Sequence, residues 1–81
     1  MHELAFTESL IKLVSTEAEK RNFQKCLGIT VAVGKYSGMV PECIRQFFPL
    51  AAKGSIAAGA ELSFTESEDP FNCYVEYLTV E

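Results

Sequence analysis

Eighty-one residues, 48% of them hydrophobic, are enough for one domain with its own core and too apolar for a disordered segment. Seven Lys and Arg against eleven Asp and Glu leave a net charge of −4, which offers no basic footprint to nucleic acid and disfavours anionic membrane surfaces. The three cysteines, Cys26, Cys43 and Cys73, are odd in number and include no C-x-x-C pair. They predict the reduced thiols of a cytoplasmic protein rather than a disulfide framework or a zinc knuckle. The start, Met-His-Glu, is acidic where a secretory leader would be basic, and the apolar runs break well short of the roughly 20 residues that span a bilayer.

The first helix is predicted over residues 4–21. Leu4, Ile11, Val14 and Ala18, with Leu10 beside them, form its apolar face, and Glu8, Lys12, Ser15, Thr16 and Glu19 its polar one. Glu8 with Lys12 and Glu17 with Arg21 are acid-first i,i+4 pairs. Residues 26–33 alternate, with Leu27, Ile29, Val31 and Val33 on one side, and predict a strand that ends in a turn at Gly34–Gly38. A second helix starts at Pro41, where a missing N–H costs nothing, and stops at Lys53-Gly54. Ile44, Phe47, Phe48 and Ala51 make its core stripe, and Pro49 predicts a kink or an early break. Residues 60–66 alternate again as a second strand, 67–70 is a turn, and 73–80 is a third strand whose apolar order needs a bulge.

The element order is therefore α-β-α-β-β, an α+β fold with two helices packed on one face of a three-stranded mixed sheet. The first two strands, joined through a helix, are expected to be parallel, and the last two to close an antiparallel hairpin across Glu66–Asn72.

Chemistry-bearing residues are few. The one histidine, His2, stands at the chain start, so no catalytic triad or H-E-x-x-H arrangement can be assembled, and no phosphate-binding glycine loop is present. An enzyme is not indicated. A terminal His has another use, because the α-amine of Met1, the imidazole of His2 and the backbone amide nitrogens between them can turn toward one point. Such a planar nitrogen set is the geometry preferred by Ni(II) and Cu(II) rather than Zn(II). Read by chemistry alone, His2 is equally a plain exposed terminal residue, and Glu3 a favourable acid in a first helical turn.

Four segments carry a resemblance. They are Met1-His2-Glu3-Leu4 before an amphipathic helix, and Gly34-Lys35-Tyr36-Ser37-Gly38-Met39-Val40-Pro41-Glu42, which fits G-x-x-S-G-x-x-P-E. The others are Lys53-Gly54 with Ala58-Gly59-Ala60-Glu61-Leu62, and the closing Leu78-Thr79-Val80-Glu81. Together they resemble the HypA/HybF family of hydrogenase nickel-incorporation proteins over nearly the whole chain. The resemblance implies a nickel metallochaperone that binds Ni(2+) through Met1, His2 and Glu3. It further implies work with a nickel-handling GTPase toward the hydrogenase large subunit, with urease as another recipient. The family's zinc-binding insertion, with its two C-x-x-C pairs, is absent between residues 66 and 73. Residues 1–81 are thus expected to be a single nickel-binding domain without zinc, able to dimerise through an open sheet edge. A protein-interaction module that keeps the fold but handles no metal is the alternative.

Overall fold

A computed structural model describes residues 2–81. Helix α1 spans His2–Arg21, strand β1 Cys26–Val33, helix α2 Pro41–Ala52, strand β2 Glu61–Glu66 and strand β3 Cys73–Val80, so the predicted order α-β-α-β-β holds. Helix α1 carries Glu3 in its first turn and Lys20 and Arg21 in its last, both favourable for the helix dipole. It stops where Asn22 adopts the left-handed conformation that asparagine tolerates. Its buried stripe is Thr7, Leu10 and Val14, rotated from the expected face, and Leu4 and Leu13 are exposed. Thr7 can turn inward because its hydroxyl donates to the carbonyl of Glu3 (2.6 Å), which satisfies the polar group inside the helix.

In α2 the buried positions are Ile44, Phe48 and Ala52 rather than a stripe including Phe47 and Ala51. The helix runs on past Pro49 to Ala52, with no early break. Pro49 deprives one carbonyl, that of Arg45, of its i+4 donor, and it lies within the last turn, so little helix beyond it has to be held. The Lys53 N–H closes the last turn onto the Leu50 carbonyl.

The sheet order is β2-β1-β3. β1 pairs with β2 in parallel from Gly28↔Glu61 to Val33↔Glu66, and with β3 antiparallel from Cys26↔Val80 to Val33↔Cys73. The expected β2–β3 hairpin is therefore wrong: both strands pair with β1 and not with each other. β1 holds the most buried strand residues, Ile29, Val31 and Ala32, and the centre of the sheet is the place that buries them. The link 67–72 crosses the end of β1 instead of turning back on β2. The Ser67 N–H donates to the Val33 carbonyl (3.0 Å), the Gly34 N–H to the Asn72 carbonyl (2.7 Å) and the Tyr36 N–H to the Pro70 carbonyl (2.6 Å). Gly34 is what lets the link pass, since a Cβ there would lie 2.5 Å from the Pro70 carbonyl oxygen.

The bulge predicted for the last strand is present. Thr30 faces Tyr77 and Val31 faces Val75, leaving Glu76 as the extra residue. That insertion lets Val75 and Leu78 both turn to the core. One cluster joins Leu10 and Val14 of α1, Ile44, Phe48 and Ala52 of α2, and Cys26, Ile29, Val31 and Leu62 of the sheet. Both helices thus cover the same sheet face. No helix among the described residues is long and apolar enough to cross a membrane.

Candidate metal site at the N-terminus

His2 opens α1 and is exposed, and Glu3 follows it half-buried. Met1, the third residue of the expected site, lies outside the described residues. The first four N–H groups of a helix have no carbonyl one turn back to bond to. The amides of His2 and Glu3 belong to that set, so a metal ion that displaced their protons would break no hydrogen bond of the α1 ladder. The neighbouring imidazole adds a further nitrogen.

The Glu3 side chain is engaged elsewhere. Its Oε2 accepts the N–H of Val40 at 3.0 Å, across 37 positions of sequence. Val40 is the N-cap of α2, extended at φ −107° and ψ 113°, and has no side chain able to cap. Around it, the Ser37 hydroxyl accepts the Met39 N–H (3.3 Å), Gly38 takes a positive φ of 81°, and Pro41 fills the first helical position. Glu3 and the Gly34–Glu42 segment, separate in sequence, therefore meet in space. This contact was not foreseen. Its signal was indirect: Cys43, and not a Glu or Gln, stands at the third helical position of α2, so the N-cap amide lacks its usual local acceptor and a distant one must take it.

The cysteines do not converge. Cys26 faces Val80 at one end of β1, and Cys73 faces Val33 at the other, seven residues or about 23 Å along the strand. Burial pushes the Cys26 thiol above its ordinary pKa, outweighing a backbone hydrogen bond at Gly28 that acts to lower it, and burial also raises that of Cys73. No three His, Cys, Asp or Glu side chains among the described residues are grouped to hold a metal ion. The expected site instead draws most of its donors from backbone and terminal nitrogen.

The profile described as hydrogenase/urease nickel incorporation, metallochaperone, HypA matches residues 1–76. The hydrogenase maturation factor HypA of Caldanaerobacter subterraneus subsp. tengcongensis is 36% identical over 73 residues, covering 90% of this chain and 64% of the relative. That of Xanthobacter autotrophicus is 34% identical over 74 residues, covering 91% and 66%, and that of Dehalococcoides mccartyi 33% over 73 residues, covering 90% and 61%. The chain belongs to this non-enzymatic HypA family of hydrogenase maturation proteins. It spans between 61% and 66% of the length of these three relatives.

Proposed function

We propose that this chain carries Ni(2+) for hydrogenase maturation, binding it at Met1, His2 and Glu3 through the terminal amine, the imidazole and the backbone amides. The observation that carries the reading is the position of His2 and Glu3 at the exposed entry of α1, where their amide nitrogens lie outside the helical ladder. Family membership supports nickel as the cargo and hydrogenase maturation as the pathway. By the family's practice, a nickel-handling GTPase and the hydrogenase large subunit, or urease, are the partners in the cytoplasm. A second copy of the chain would add at an open edge of the sheet, β2 or β3. On this reading residues 1–81 form one domain, and the link 67–72 replaces the family's zinc-binding insertion.

Protons compete for every one of these donors, so nickel affinity rises with pH. Isothermal titration of the untagged protein with nickel chloride, repeated across pH, tests this. The expected result is tight 1:1 binding that strengthens as pH rises and is lost in His2→Ala, with circular dichroism unchanged. Equal binding by wild type and His2→Ala would leave the fold as a metal-independent interaction module.

A further inference from the structure

Glu3 contributes a backbone nitrogen to the proposed nickel site, and its carboxylate has a different neighbour. We propose that this carboxylate is a positioning group and not a nickel ligand: by accepting the Val40 N–H it seats the N-terminal donor set on the loop that begins α2. The proposal rests on the nickel reading above and deepens it.

Four observations support it. The Glu3–Val40 hydrogen bond, at 3.0 Å, joins the first turn of α1 to the N-cap of α2. Val40 is the last donor before α2, because Pro41 has no N–H, and Cys43 at the third helical position lacks the Glu or Gln side chain that would take the N-cap amide in a capping box, so this amide needs an outside acceptor. The carboxylate also sits at a helix N-terminus, where negative charge is favoured. From the other side, Glu3 is anchored by the hydroxyl of Thr7, which is fully buried and donates to the Glu3 carbonyl.

The physical consequence concerns order. Chain ends fray, and ligands that must first be ordered bind more weakly than ligands already held in place. With Glu3 fixed at both its carbonyl and its carboxylate, the amide nitrogens of residues 2 and 3 keep one orientation before the metal arrives. With Oε2 held by the Val40 N–H, the carboxylate keeps only Oε1 for any other contact.

The test separates the bond from the charge. In Glu3→Gln the side-chain carbonyl still reaches Val40 but the charge is gone. In Glu3→Asp the charge remains, one methylene too short. Each untagged variant is titrated with nickel chloride, and exchange of the Val40 amide is followed by NMR. Glu3→Gln is expected to keep Val40 protected and bind nickel within roughly threefold of wild type. Glu3→Asp and Glu3→Ala are expected to lose the protection and bind roughly tenfold more weakly, the order set by a hydrogen bond to a charged group. The reverse ranking, with Glu3→Asp near wild type and Glu3→Gln weak, would assign the carboxylate to the metal and overturn the proposal. So would loss of Val40 protection with no change in nickel affinity, since the bond would then serve the fold alone. If the wild type binds no nickel, the carrier reading falls and the positioning role falls with it, while Val40 exchange still reports separately whether the bond forms.

Discussion

Phe47 and Phe48 are neighbours in sequence with different surroundings. Phe48 is 4% exposed inside the shared core, while Phe47 is only half-buried and lies outside that cluster. Phe48→Ala is expected to cost about 3–5 kcal/mol, as for an aromatic deleted from a core, and Phe47→Ala well under half of that. Urea denaturation of both variants checks it, and the opposite order would mean that α2 is rotated. The spacing of Ile44, Phe47 and Phe48 fits a stripe on either side, and only the small difference between Ala51 and Ala52 distinguishes them. Alanine is too weak a hydrophobic signal for sequence alone to choose. The same holds in α1, where a buried Thr7 depends on a hydroxyl-to-carbonyl bond that hydropathy does not register. Cys26 gives a pH-dependent counterpart. Its thiol is held neutral by burial, so the folded chain binds that proton more tightly than the unfolded chain does. Its contribution is complete below the ordinary cysteine pKa of about 8.5 and declines as pH rises above it. Denaturant titrations from neutral to alkaline pH should show a decline that is shallower in Cys26→Ala.

The elements were legible in the sequence where periodicity was strong, and so was the β3 bulge, because Tyr74, Val75, Tyr77, Leu78 and Val80 cannot all obey a period of two. The pairing of β3 was not. A short link between two strands usually closes a hairpin, but here β1 takes both partners because it has the most apolar surface to bury. What allows this is Gly34, where the Pro70 and Asn72 carbonyls approach within 2.6 Å of the place a Cβ would occupy. Backbone atoms on both sides cannot step aside, so Gly34→Ala is expected to destabilise the domain by about 1–3 kcal/mol, as overpacking does. A thermal melt unchanged from wild type would mean that the link does not cross β1 as described. The same crossing lets β3 complete the sheet with six intervening residues and no metal-bound insertion. The purified protein is accordingly expected to hold no stoichiometric zinc, and EDTA to leave its melting temperature unchanged. One tightly held zinc per chain, found by elemental analysis, would contradict this.

On the scale of the whole molecule, two segments that sequence comparison reads as separate motifs meet at one end. The Met-His-Glu start, and His2 as a nitrogen donor, could be singled out from chemistry and resemblance alone. Its seat could not be, because the Glu3–Val40 bond spans 37 positions and leaves no periodic trace. The three cysteines are spread over the sheet and α2, and Cys26 itself belongs to the core that closes around Leu10, Ile29, Ile44 and Phe48. The account therefore places all nickel chemistry at the chain terminus, where it depends on a free amine that one additional residue would displace. The most direct test is a nickel titration of the authentic protein beside a version with a single alanine added before Met1. The account predicts tight, stoichiometric binding by the authentic chain and its loss in the extended one, with identical circular dichroism. Equal nickel affinity in the two proteins would contradict it, because the terminal amine would then be no ligand.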